Sequence, residues 1–323
     1  MPIDFTHTPV LLAPMAGITD LPFRNIVLKF GAALVVSEMI ASQELVQATK
    51  TRQSRAELGL KVEHTAVQIA GRDAYWMSEG AKMVAGQGAR IVDFNMGCPA
   101  KKVTNGLSGS ALMRQPDHAL ELVKAVVDAV DVPVTLKMRL GWDDETLNAA
   151  EIAKRAEDAG VKMITVHGRT RCQFYKGRAD WQAIQSVKDA VSIPVIANGD
   201  IIDESTARVA LAQSHADGVM VGRGAQGMPW RLAQISDVLR GKPPQKALSG
   251  TALADLVIEH FEAMVAFYGV EQGVRCARKH LSWYMEPLDN GAYLRALVIR
   301  EPNPAKVISE LRAGLSDSKR LAA

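Results

Sequence analysis

Val92-Asp93-Phe94-Asn95-Met96-Gly97-Cys98-Pro99-Ala100-Lys101-Lys102-Val103-Thr104-Asn105-Gly106 decides how the rest of the chain is read. An alternating apolar run ends at Asn95, and Gly97, Cys98 and Pro99 break the pattern. The stretch therefore reads as a strand whose C-terminal end delivers a thiol onto a loop. Free cysteines are more often small buried hydrophobes. Here a Gly and a Pro flank the thiol and two Lys follow it, which favours a loop over a core position.

Working outward, the same unit recurs. Apolar runs rich in Val and Ile occupy 10–13, 34–37, 65–69, 91–95, 134–138, 163–166, 195–197 and 218–221, with helical patterns between them. Most are continuous rather than alternating, as expected of parallel strands buried on both faces. Asp20 with Pro22 opens one helix, and Pro116 with Asp117 opens another that ends before Val132-Pro133. A third runs over 151–159 and closes at Gly160. Eight such units in about 240 residues match an α/β fold of the (β/α)8 TIM-barrel kind.

A doubly wound sheet is the competitor, but it would usually have fewer strands and a nucleotide site near its first turn. The polar and Gly-containing sequence is instead spread over the ends of nearly all eight runs. It includes Pro14-Met15-Ala16-Gly17, Gln68, Lys137 with Arg139, His167-Gly168-Arg169, Asn198-Gly199-Asp200 and Gly222-Arg223-Gly224. A barrel gathers those ends on one face, so one composite site is expected.

The barrel pattern stops near Arg240, and Gly241-Lys242-Pro243-Pro244 reads as a linker. Beyond it, Leu253, Leu256, Val257, His260, Met264 and Phe267 follow helical spacing, and Asn303-Pro304 starts another helix. Two domains are expected, a barrel over 1–241 and a helical domain over 242–323. The 323 residues are 48% apolar, ample for a packed core, and the net charge of +3 permits a polyanionic partner without arguing for one. Three cysteines form no CxxC pair and no even disulfide set, which points to a reducing compartment. No membrane-length apolar run and no signal-like start are seen, so a soluble cytoplasmic protein is expected.

Several motifs have competing readings. Gly222-Arg223-Gly224-Ala225-Gln226-Gly227 matches a dinucleotide fingerprint, yet it follows the eighth run with no acidic strand end about 20 residues on. In a barrel, the loops after strands seven and eight form a recurrent phosphate site, where Gly199, Gly222 and Gly224 would let backbone N–H groups approach and Arg223 would add charge. Plain turn glycines are the alternative. Lys137 and Arg139 share one strand face, and charge excludes the packed core, so the barrel mouth is expected. A cation there suits a cofactor ring that carries negative charge, as a reduced flavin does; a solvated strand end is the other reading. His167 could contact phosphate or cofactor, or be structural. No second His stands at metal-ligand spacing, so no metal is expected. Arg275, Arg278 and Lys279 lie on one side of a helix, which is either an ordinary solvated face or a nucleic-acid contact.

Read together, these residues resemble the tRNA-dihydrouridine synthase family, most closely its bacterial B-type branch. The likeness runs from Ala13-Pro14-Met15-Ala16-Gly17 through Asn95-Met96-Gly97-Cys98-Pro99, Val166-His167-Gly168-Arg169-Thr170 and Ala197-Asn198-Gly199-Asp200 to Ala277-Arg278-Lys279-His280-Leu281-Ser282-Trp283-Tyr284. The resemblance implies an FMN-bound catalytic barrel and a helical tRNA-binding domain, reducing uridine to 5,6-dihydrouridine with NADPH. It implies that Pro14, Met15, Ala16, Gln68, Lys137, His167, Asn198, Gly199, Asp200, Gly222 and Arg223 hold FMN. Cys98 would be the acid, and Asn95 and Arg139 would lie toward the uracil.

The chemistry agrees. Saturating C5–C6 takes a hydride at C6 and a proton at C5, and an ordinary thiol keeps its proton near neutral pH better than a carboxyl group does. The target base must be extruded from the folded RNA, with Lys101, Arg275, Arg278 and Lys279 among the backbone contacts. A monomer is expected. A flavin oxidoreductase of a free pyrimidine, as in dihydroorotate dehydrogenases, and a non-catalytic RNA- or protein-binding regulator stand as alternatives.

Overall fold

A computed structural model describes residues 3–47 and 64–319. Its strands are β1 (Val10–Leu12), β2 (Leu34–Val36), β3 (Ile40–Ala41), β4 (Thr65–Ala70), β5 (Ile91–Met96), β6 (Val134–Arg139), β7 (Met163–His167), β8 (Val195–Asn198) and β9 (Gly218–Val221). All pairings are parallel, and β2 pairs with both β1 and β4, which closes eight strands into a barrel. The eight apolar runs are those eight strands. The two-residue β3, added on β4, is too short to leave a pattern in the sequence.

Helices α1 (Leu21–Lys29), α2 (Ser42–Gln47), α3 (Ala74–Gly86), α4 (Lys101–Thr104), α5 (Pro116–Val127), α6 (Ala149–Asp158), α7 (Gln182–Ala190), α8 (Glu204–Ser214) and α9 (Arg231–Leu239) occupy the connections. The expected start signals operate: the Asp20 carboxylate accepts from the N–H of Phe23 at 3.0 Å, and Pro116 is the first residue of α5.

Inside the barrel, Leu11, Leu34, Ile91, Met163, Ile196 and Met220 pack into an apolar plug. Strand alternation sends Asp93 and Asn95 the same way as Ile91, so the filling turns polar towards the C-terminal strand ends. Register then aligns Asn95 with Lys137, Arg139 with His167 and His167 with Asn198 on adjacent strands.

After α9 the chain runs without helix or strand to α10 (Gly250–Tyr268), followed by α11 (Val270–Met285), α12 (Gly291–Val298) and α13 (Pro304–Ser316). A Cβ at Gly273 would lie 2.6 Å from the Cα of Val265, so this glycine lets α11 close against α10. The tail core, with Leu253, Val257, Phe261, Leu281 and Leu311, is continuous with Ile26 of α1 and with Trp230. Each fully buried Leu of that set contributes about 1.5–3 kcal/mol. Phe23 stacks within 5.2 Å of His280 and 5.6 Å of His260, and the Tyr268 hydroxyl donates to Asp20 at 3.0 Å. The tail is thereby fastened to the first helix of the barrel. No helix among the described residues is long and apolar enough to cross a membrane.

Candidate active site

The C-terminal ends of the barrel strands enclose one cavity of about 760 Å³. Its wall combines apolar residues such as Ala13, Pro14, Met15 and Ile18 with Gln68, Asn95, Asn198 and four cations, Lys137, Arg139, Arg169 and Arg223. Among the described residues a single carboxylate, that of Asp200, belongs to the same wall. Among the described residues no group of three or more His, Cys, Asp or Glu gathers as a metal site would require.

Cys98 is half-buried at the rim, on a loop pinned from three sides. Its N–H and that of Gly97 donate to the Asn95 side-chain oxygen at 3.0 and 3.1 Å. Its carbonyl accepts from the N–H and hydroxyl of Ser110 at 3.1 and 2.9 Å. Gly109, at φ +60°, has no tolerable replacement, because a Cβ there would stand 2.8 Å from that same carbonyl oxygen. The result is a thiol on a loop that leaves a strand and is tied to Asn95 and Ser110.

The cations are unequal. Lys137 donates to the Asn198 side-chain oxygen at 3.1 Å; burial and then the nearby Arg139 pull its pKa down to about 8, against the attraction of Asp93 and Cys98. Arg139 is almost fully buried and donates to the carbonyls of Gly97, Thr170 and Phe174 at 2.8, 2.8 and 2.9 Å. Arg169 donates to Asp200 at 2.5 Å, and its other terminal nitrogen lies 3.2 Å from Nε2 of His167. Because a guanidinium can only donate, Nε2 must be the accepting nitrogen. Burial, followed by the charges of Lys137, Arg139, Arg169 and Arg223, holds His167 well below its usual pKa, so the ring is neutral. Burial pushes Asp200 up, but hydrogen bonds from Arg169 and the Ala179 N–H outweigh it, and the carboxylate ends below its usual range.

A model of the dihydrouridine synthase family matches residues 11–316 of this chain. The chain belongs to the dihydrouridine synthase family. A Rhodobacter capsulatus protein named "Probable tRNA-dihydrouridine synthase" is 61% identical over 310 residues, covering 96% of this chain and 95% of its own. The tRNA-dihydrouridine synthase B of Pseudomonas syringae pv. tomato is 46% identical over 295 residues, covering 91% and 87%. That of Vibrio vulnificus is 45% identical over 290 residues, covering 88% and 89%. Two solved structures share the fold alone. A 2-naphthoyl-CoA reductase has a TM-score of 0.55 at 15% identity, covering 72% of this chain and 50% of its own. The histamine dehydrogenase of Rhizobium sp. 4-9 has a TM-score of 0.53 at 12% identity, covering 78% and 48%. As a dihydrouridine synthase family member, the protein is an oxidoreductase.

In this family member, Pro14, Met15, Ala16, Gln68, Lys137, His167, Asn198, Gly199, Asp200, Gly222 and Arg223 all line the cavity, together with Asn95, Cys98 and Arg139. Lys101, Arg275, Arg278 and Lys279 stand outside it. Arg275 is exposed, whereas the Lys279 ammonium is engaged with the carbonyl oxygen of Gly17 on the loop after β1, whose N–H in turn donates to Glu38. Arg169, expected at a strand end, is an inner cation of the site. Two features escape a reading by residue type. Asp93 lies buried beneath the mouth, and Phe174 with Tyr175 are aromatics at its edge. Alternation from Asn95 back to Asp93 was the available signal for the first.

Proposed function

We propose that this chain reduces specific uridines of tRNA to 5,6-dihydrouridine, with FMN as resident cofactor, NADPH as electron source and Cys98 as the acid. The reading is carried by the meeting, in one cavity, of the Cys98 loop with a wall of four cations and one carboxylate. That donor set suits a cofactor carrying a phosphate and a ring able to hold negative charge, and the volume lies in the range of cofactor sites. Pro14, Met15, Ala16, Gln68, Lys137, His167, Asn198, Gly199, Asp200, Gly222 and Arg223 hold it. When bound, FMN supplies the hydride that goes to C6 of the uracil.

The chain's own residues do the rest. The Cys98 thiol gives its proton to C5 as negative charge builds there, and the thiolate left behind is steadied by Lys137 and Arg139, both of which attract it. Asn95 orients the uracil from the neighbouring strand end. Residues 1–241 form the catalytic barrel and 242–323 the tRNA-binding domain, where Arg275 and Arg278, with Lys101 of the barrel, meet phosphates around an extruded base. Lys279 belongs to the same face but acts through its hold on Gly17. The setting is the cytoplasm and the working unit a monomer.

The test is incubation of the purified protein with NADPH and unmodified tRNA, followed by nucleoside mass spectrometry. Dihydrouridine should appear at discrete positions. A yellow, NADPH-reducible protein that leaves tRNA untouched but turns over free uracil or orotate would refute the reading.

A further inference from the structure

Asp93 is a carboxylate shut inside the barrel, 3% exposed, one step of the strand alternation below Asn95. It accepts from the Thr135 hydroxyl at 2.5 Å and from Nε2 of Gln68 at 2.7 Å. Oε1 of Gln68 accepts from Nδ2 of Asn95 at 2.7 Å, and Oδ1 of Asn95 accepts from the N–H groups of Gly97 and Cys98. An ionised carboxylate can only accept and a backbone N–H can only donate. The chain from Asp93 to Cys98 therefore has one polarity, fixed at both ends, and each of the two amides between them has one allowed orientation.

We infer that Asp93 is a positioning residue of the reaction: through Gln68 and Asn95 it sets which face each amide turns to the cavity and where the Cys98 loop stands. The inference rests on the proposed reduction of uracil with Cys98 as acid. Asp93 touches neither reactant. It leaves Gln68 and Asn95 each with one amide hydrogen free to donate into the cavity they line, and it holds Oδ1 of Asn95 under the loop that carries the thiol. Burial raises its pKa to about 6, against the hydrogen bonds of Thr135 and Gln68 and the charge of Lys137, so at neutral pH the acceptor end of the chain is intact.

The polarity can be removed and restored. Asp93→Leu fills similar space but offers Gln68 no acceptor, so nothing fixes which way Gln68, and then Asn95, turns. Asp93→Asn restores the link without a charge, because a Thr hydroxyl accepts as well as donates: the amide can donate to Thr135 and keep its oxygen for Nε2 of Gln68. Transient oxidation of the flavin-reduced enzyme by tRNA should slow about 10- to 100-fold in Asp93→Leu. Asp93→Asn should keep most of the wild-type rate, with reduction by NADPH proceeding in both. Asp93→Leu at the wild-type rate, or Asp93→Asn as slow as Asp93→Leu, overturns the inference. If Asp93→Leu loses its fold or its flavin, Asp93→Val takes its place under the same two outcomes. Wild-type protein inactive on tRNA would instead strike at the proposed function.

Discussion

Nε of Arg139 donates to the carbonyl oxygen of Gly97 at 2.8 Å, so the guanidinium at the end of β6 is bolted to the loop that presents Cys98. With Nη1 shared between Thr170 and Phe174, one buried cation joins the loops after β5 and β7. Its side chain lines the cavity, but most of its donors are committed to the protein rather than open to a ligand.

Arg139→Met should therefore act on stability as well as on rate. Three carbonyls lose a charged donor, at a cost of roughly 2–4 kcal/mol. Urea denaturation should show that loss, and a variant as stable as the wild type would show that the loops hold themselves.

Lys137 carries the pH dependence of the mouth. A buried Lys with its pKa drawn down to about 8 is charged below that pH and loses its proton as pH rises through it. Flavin reduction by NADPH should accordingly fall with a single-proton limb above about pH 8, or higher if the bound cofactor's negative charge stabilises the ammonium. Lys137→Met should lack that limb and hold flavin about tenfold or more weaker; a limb that survives the substitution belongs to another group.

Two cations of α11 should part company. Arg275 is exposed, so Arg275→Ala should weaken tRNA binding and reduce the slope of log affinity against log salt by about 1. Lys279 is held by Gly17, so Lys279→Met should leave that slope nearly unchanged and act through the β1 loop, weakening flavin retention. Equal salt slopes for the two variants would contradict the assignment.

His260 and His280 make the joint between barrel and tail sensitive to acid. Burial lowers them to about 3 and about 2, with the neighbouring His260 and Lys279 adding to the effect on His280. Below about pH 6.5 the unfolded chain takes up protons that the folded chain refuses, so stability is lost as pH falls, by up to about 1.4 kcal/mol per pH unit for each ring. Denaturation at about pH 7 and about pH 5 measures it, and His280→Phe should remove one ring's share.

The barrel was legible because parallel strands buried on both faces are mostly apolar, and most of the eight runs from 10–13 to 218–221 are continuous in that way. The mouth was legible because chemistry on a barrel sits at strand ends, which gathered Gln68, Asn95, Lys137, His167 and Asn198 in advance. What stayed hidden were pairings. That Asp200 would be taken by Arg169, and Lys279 by Gly17, depends on loops distant in sequence meeting in space. Asp93 stayed hidden for another reason: a charge inside a barrel is unfavourable unless Thr135 and Gln68 are there to receive it, and neither is its neighbour in the chain.

The central claim is that the Cys98 thiol protonates C5 of a uracil brought to the barrel mouth. Stopped-flow mixing of the reduced, flavin-loaded enzyme with tRNA tests it most directly. Cys98→Ala should keep its flavin and its reduction by NADPH but be reoxidised by tRNA about 10²–10⁴-fold more slowly than the wild type. Reoxidation of Cys98→Ala at the wild-type rate, with dihydrouridine formed, would contradict the account.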